Sequence, residues 1–237
     1  DMPSNPWFNV SAPHGDVFYK DWNHGFAPAR EHFTRALRYW LTEYKIDGYR
    51  MDLSHGLCSD QPNTSVENLK YYYTHGIKEV SPDAYFILEH WGNNMGSERP
   101  QLVNEGMMCW ENTCVAFQQT AMGWLKDGDS FSQANRDGYV SYCENHDEER
   151  CFFKAKQWGN GTIASDEATR LSRVPLNIGF QCMLNGPQLF YHYAELGFDY
   201  SKFQNDKGAW GKDGKAKYGT SVSTSFADAE YKMNAKF

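Results

Sequence analysis

The stretch PAREHFTRALRYWLTEYKIDGYRMDL, residues 28–53, sets two different periodicities end to end. Over residues 28–45, Phe33, Leu37, Trp40, Leu41 and Tyr44 recur at three- and four-residue spacing, which predicts one apolar face of an amphipathic helix. Pro28 stands near its start, where the missing N–H costs nothing. Residues 46–53 then form a run too short for a helix and read as a strand. A helix that feeds straight into a strand is half of a repeating β/α unit.

Working outward, the same rhythm recurs. Residues 65–80 read as a helix stopped by Ser81-Pro82, and residues 85–88 as a compact strand. Residues 107–110 are the next strand and residues 113–125 the next helix. Residues 139–143 form a strand, and residues 166–184 a helix that Pro175 must bend or divide. Residues 188–193 are the last strand, and after Gly197 the chain turns polar and aperiodic, as surface loops do. Five strands alternating with helices imply a mainly parallel sheet in an α/β fold. The domain expected is a partial catalytic barrel over residues 1–200, with residues 201–237 as a polar, loop-rich continuation.

Composition narrows the function. A net charge of −7 with no long basic run argues against a nucleic-acid partner, because phosphate binding needs clustered Lys and Arg. No apolar run approaches the length of a membrane span. The first residues, Asp1-Met2-Pro3-Ser4-Asn5, lack the basic and apolar regions of a signal peptide. Aromatic residues make up 16% of the chain, which serves core packing and also supplies flat faces on which sugars stack. The six cysteines, Cys58, Cys109, Cys114, Cys143, Cys151 and Cys182, show no paired zinc-ligand spacing, and no HExxH motif appears.

Three acids fall just past strands. Asp52 ends Asp47-Gly48-Tyr49-Arg50-Met51-Asp52, Glu89 follows Tyr85-Phe86-Ile87-Leu88, and Asp147 closes the segment from Tyr139 through Asn145-His146-Asp147. In a (β/α) barrel the C-terminal strand ends share one face, which holds the active site. Glycoside cleavage needs such a set: an acid to protonate the leaving oxygen, and a carboxylate to attack the anomeric carbon in a retaining enzyme. A third acid can favour the developing positive charge. Arg50 shares the strand face of Asp52 and suits an ionised nucleophile. An aspartate after a strand is also a common helix N-cap, which would explain any one of the three.

These residues resemble the α-amylase family of glycoside hydrolases (family 13). Gly48-Tyr49-Arg50-Met51-Asp52 is similar to the family's nucleophile strand, Phe86-Ile87-Leu88-Glu89-His90-Trp91 to its acid strand, and Asn145-His146-Asp147 to its third motif. The segment from Gly186 to Gly197 is similar to a later family segment. His146-Asp147-Glu148-Glu149-Arg150 and residues 44–50 resemble a bacterial branch of amylases and branching-enzyme-like proteins. The resemblance implies Asp52 as nucleophile, Glu89 as acid/base and Asp147 as transition-state stabiliser. It makes His146 a contact to sugar hydroxyls and pairs Arg50 with Asp52. His55 takes the place of a family lysine, as an acceptor-sugar contact or a plain loop histidine. Trp91 either stacks on a sugar or packs in the core.

The family's Asp-x-x-x-Asn-His motif on its third strand is not found. Asp21-Trp22-Asn23-His24 is superficially similar but lies in the connection before the first helix. The resemblance therefore spans roughly Asn5 to Asp199 and matches strands four to eight of a (β/α)8 TIM barrel. A piece of a longer enzyme is expected, or self-association through open sheet edges. The implied function is retaining hydrolysis of α-1,4-glucans by double displacement. Glycosyl transfer, as in branching enzymes, and a non-catalytic glucan-binding fragment are the alternatives. No cofactor is needed for the chemistry; the resemblance admits a structural calcium with two altered ligand positions, and it implies an extracellular or periplasmic location.

Overall fold

The computed structural model describes residues 4–14, 20–59, 61, 63–124, 131 and 136–201. Of the expected continuation over residues 201–237, all but the first residue lies outside them, as does the helix end at Leu125. The elements in chain order are α1 (Ala27–Glu43), β1 (Gly48–Met51), α2 (Ser65–Tyr71, running on as a wider π-type turn over Tyr72–Lys78), β2 (Tyr85–Leu88), α3 (Met95–Asn104) and β3 (Met108–Asn112). They continue with α4 (Cys114–Met122), β4 (Tyr139–Tyr142), α5 (Cys151–Trp158), α6 (Thr162–Ser165), α7 (Glu167–Leu171), α8 (Val174–Cys182) and β5 (Gln188–Leu189). Strand order follows chain order, β1-β2-β3-β4-β5, the topology of a partial TIM barrel. The chain divides into two compact units, Asp1–Trp110 and Glu111–Phe237.

In the first unit β1 pairs parallel with β2, and β2 with β3. The pairing depends on Gly48, which lies opposite Tyr85. Its φ is +154°, and a Cβ there would stand 2.3 Å from the Tyr85 carbonyl oxygen. Only glycine permits that approach. Behind the sheet, Leu69, Tyr72, Ile77, Phe86, Leu88 and Leu102 are fully buried. Gly76 lets α1 close in, since a Cβ there would fall 2.8 Å from Leu37 Cδ1.

Helix α1 forms as expected but turns a different face inward. Ala29, Thr34, Leu37 and Leu41 are buried, whereas Trp40 and Tyr44 are 47% and 58% exposed. Thr34 can go inside because its hydroxyl donates to the Arg30 carbonyl at 2.9 Å, satisfying itself within the helix. Trp40 and Tyr44 instead pack on each other, with ring centroids 4.6 Å apart.

In the second unit β4, buried along its whole length, pairs parallel with β5. Thr113 pins it: its Oγ1 donates to the Tyr142 carbonyl at 2.7 Å and accepts from the Tyr142 N–H at 3.1 Å. A core of Phe117, Ala121, Cys143, Cys151, Phe152, Ala155 and Ile163 lies between α4, α5 and α6. The helical region over residues 166–184 is divided as expected, with Pro175 in the first turn of α8. The last strand is shorter than expected. It ends at Leu189, and Tyr193 adopts a left-handed conformation (φ 65°) that turns the chain into a short 3-10 helix, Ala194–Leu196.

Candidate active site

The register of the first two strands builds the centre of the site. Met51 lies opposite Leu88, so the residues that follow, Asp52 and Glu89, leave the sheet side by side at its C-terminal edge. The ladder continues past both: the Glu89 N–H donates to the Met51 carbonyl at 3.0 Å, and the Ser54 N–H to the Glu89 carbonyl at 2.9 Å. Leu53 turns the chain through a left-handed conformation (φ 40°, ψ 47°), unusual for a bulky residue. Its N–H is anchored on Glu89 Oε2 at 2.9 Å.

Arg50 joins the two acids. One guanidinium nitrogen donates to Asp52 Oδ1, and the other lies 2.8 Å from Glu89 Oε2. The guanidinium also sits over the Trp110 ring, 4.2 Å from its centroid, which fixes its plane. The two carboxylates live in different surroundings. The Asp52 side chain is 69% exposed and that of Glu89 only 8%. Burial pushes the Glu89 carboxyl above its ordinary range and the charge of Asp52 adds to the rise, against the pull of the Leu53 N–H, the Arg50 guanidinium and a hydrogen bond from Trp91. A buried carboxyl that holds its proton more tightly than usual, beside an open carboxylate, is the division of labour that acid and nucleophile require.

The Arg99 guanidinium lies 5.3 Å from the Trp91 ring centroid. His55 sits in the 3-10 turn Ser54–Gly56 with its side chain 13% exposed, packed beside His14 and His90. Gly92 makes room for it: a Cβ there would fall 2.8 Å from the imidazole. Next to Glu89, the fully buried His90 bonds to Ser54 Oγ at 3.1 Å and to Glu98 Oε2 at 3.0 Å. Desolvation holds the His90 imidazole below its ordinary range, against the pull of Glu98. Sequence reasoning did not single out His90 or Glu98, because α3 carries Pro100 and shows little apolar periodicity.

Asp147 and His146 belong to the second unit, on the loop after β4. Asn145 Oδ1 accepts from the N–H groups of Asp147 and Glu148 at 2.9 and 2.8 Å, an Asx-type turn that lifts both side chains outward. His146 and Asp147 are about half exposed, with His146 Nε2 3.3 Å from Asp147 Oδ2. Beneath them a buried ion pair clamps the loop. Glu144 accepts from Arg150 Nη1 at 2.8 Å and from the Cys151 N–H at 2.7 Å. Arg150 also donates to the His192 carbonyl at 2.8 Å and lies between Tyr191 and Phe198, 4.4 and 4.7 Å from their centroids. So the first unit brings Asp52, Glu89, Arg50 and Trp91 together, and the second presents Asp147 with His146. Among the described residues no group of three or more His, Cys, Asp or Glu side chains is arranged to hold a metal ion.

Five parallel strands in chain order, joined by helices, with Asp52, Glu89 and Asp147 following three of them, define part of a TIM barrel. Among solved structures, the chain is similar to a variant pullulanase from Klebsiella pneumoniae solved with maltotriose (TM-score 0.63, 16% identity, covering 94% of this chain and 32% of that one). It is similar to the apo pullulanase from Klebsiella pneumoniae (TM-score 0.61, 15% identity, 96% and 32%). It also resembles a pullulanase from an Anoxybacillus species complexed with maltotetraose (TM-score 0.61, 14% identity, 96% and 35%). The chain spans about a third of the length of these neighbours. At such identities the likeness shows the fold. No family model and no curated protein matches the chain.

Proposed function

We propose that this chain carries the catalytic acids of a retaining glycosidase of the α-amylase family acting on α-1,4-glucans. The observation that carries the proposal is the Arg50 bridge: one guanidinium between an open carboxylate and a buried one, at the ends of adjacent parallel strands. Asp52 attacks the anomeric carbon while the Glu89 carboxyl gives its proton to the leaving oxygen. The glycosyl ester on Asp52 is then opened by water, which Glu89, now ionised, deprotonates. Asp147 favours the positive charge of the oxocarbenium-like transition state, and His146 holds a sugar hydroxyl. Arg50 pairs with Asp52 and aims it, and Trp91 stands next to the Glu89 carboxyl in the chain as a sugar-stacking face.

Support for an α-glucan comes from the sequence motifs and from fold neighbours solved with maltotriose and maltotetraose. Glycosyl transfer uses the same covalent intermediate and differs only in whether water or a sugar hydroxyl reaches it. By the same resemblance the location proposed is extracellular or periplasmic. Among the described residues no helix is long and apolar enough to cross a membrane. The test is release of reducing ends from soluble starch by the 237-residue chain and by Asp52→Asn. Activity abolished by the substitution is the expected result. Equal activity in the two proteins would refute the assignment.

A further inference from the structure

The turn that follows Asp52 is held in a conformation its own residues disfavour. Leu53 adopts φ 40° and ψ 47°, where a bulky side chain crowds its backbone, and in that conformation its N–H donates to Glu89 Oε2 at 2.9 Å. The neighbouring Ser54 supplies the support. It is fully buried; its N–H donates to the Glu89 carbonyl at 2.9 Å, and its hydroxyl meets His90 Nδ1 at 3.1 Å. One serine therefore ties the turn after β1 to two successive residues after β2. His90, also fully buried, runs on to Glu98, whose Oε2 lies 3.0 Å from its Nε2. Glu98 is fixed in turn by its helix. Helix α3 buries Leu102 against the sheet and is tied to the end of β3 by Arg99 Nη2, which donates to the Trp110 carbonyl at 2.9 Å.

The protons along this chain have one arrangement. A carboxylate at Glu98 only accepts, so His90 Nε2 carries a proton. Desolvation holds the imidazole below its ordinary range; Glu98 pulls the other way, while His55, 5.5 Å away between ring centroids, and Arg99 add to the lowering. The ring is therefore neutral at pH 7 and its Nδ1 is an acceptor, to which the Ser54 hydroxyl donates. Ser54 and His90 are fully buried and touch no substrate. Whatever they do for the reaction passes through the backbone of Leu53 to the Glu89 carboxyl.

We propose that Glu98, His90 and Ser54 are positioning residues for the acid/base: together they lock the turn after β1 so that the Leu53 N–H stays on the Glu89 carboxyl. The assignment rests on the glycosidase function proposed above and adds the residues that set its geometry. The Leu53 N–H lowers the proton affinity of Glu89, so releasing it moves the Glu89 titration upward. The experiment follows the Glu89 side-chain carboxyl by 13C NMR against pH in the 237-residue chain, for the wild type, Ser54→Ala and His90→Gln. Its resonance is assigned by its absence in Glu89→Gln. Neither test substitution changes the charge at pH 7, so a shift reports the hydrogen bond and not a new Coulomb field. In both variants the midpoint should rise by about half a pH unit or more, as loss of one hydrogen bond to a carboxylate does. An unmoved midpoint in Ser54→Ala, with or without a lowered Tm, marks a packing role only; it overturns the positioning assignment and leaves the glycosidase proposal standing. The glycosidase proposal is read separately, from starch cleavage: equal cleavage by the wild type and Asp52→Asn overturns it, and with it the purpose of the device, whatever the midpoint does. If His90→Gln does not fold, Ser54→Ala, which removes a single oxygen, decides.

Discussion

Replacing Arg50 with Met removes a guanidinium that contacts two carboxylates and one indole, and its cost should depend on pH. The arm to Asp52 is worth little, because that carboxylate is 69% exposed and exposed pairs contribute about 0–1 kcal/mol. The stacking over Trp110 adds about 0.5–1 kcal/mol. The arm to Glu89 dominates, since Glu89 is 8% exposed and would keep its charge with only N–H donors to balance it. Breaking a fully buried pair costs about 3–5 kcal/mol. With Arg50 itself 25% exposed, about 2 kcal/mol is expected for this arm, and about 3 kcal/mol in all at pH 7.

The pH dependence follows from the direction of the Glu89 shift. Its carboxyl binds its proton more tightly in the folded chain than in the unfolded one. That contribution to stability is fully present below the ordinary glutamate range, about 4.3, and is lost as pH rises through the raised native value. Without Arg50 the native value climbs further, so the variant loses more than the wild type on the way to neutrality. Urea unfolding at pH 7 and pH 4.5 should show the penalty of Arg50→Met falling by about half at the lower pH. An equal penalty at the two pH values would refute the claim that Arg50 serves chiefly to balance buried Glu89.

Three further outcomes are expected. Arg150→Met leaves the fully buried Glu144 unpaired and should cost about 3–5 kcal/mol in urea unfolding, with Arg150→Lys recovering part of it; a loss under 1 kcal/mol would contradict the clamp. Gly48→Ala puts a Cβ 2.3 Å from a carbonyl oxygen and should destabilise by about 3 kcal/mol or more, read as a lowered Tm. A thiol reagent added to the native chain should modify Cys182 rapidly and Cys58, Cys109, Cys114, Cys143 and Cys151 only on unfolding, counted by mass spectrometry; rapid modification of a buried thiol would contradict the packing.

The strands and the acids that follow them were legible in the sequence because short apolar runs bounded by turn residues have few other ways to bury themselves. Gly48-Tyr49-Arg50-Met51-Asp52 announced both a strand and its acid, and the structure explains its glycine through the approach of Tyr85. Helix α3 was not legible, because it buries Glu98 and Arg99 by hydrogen bonds to His90 and the Trp110 carbonyl rather than by an apolar stripe. The inward face of α1 was misjudged for a related reason: a threonine that satisfies its own hydroxyl looks polar in sequence. The Glu144–Arg150 clamp stood in plain view as part of an acidic run, but only packing by Tyr191 and Phe198 gives it meaning.

The central claim is that Asp52 forms a glycosyl ester during turnover. Its most direct test is incubation of the chain with a fluorinated α-glycosyl fluoride that slows breakdown of the ester, followed by peptide mass mapping. The account predicts one glycosyl adduct, on the peptide containing Asp52, absent in Asp52→Asn. Starch cleavage with no adduct, or with the adduct on Glu89 or Asp147, would contradict it.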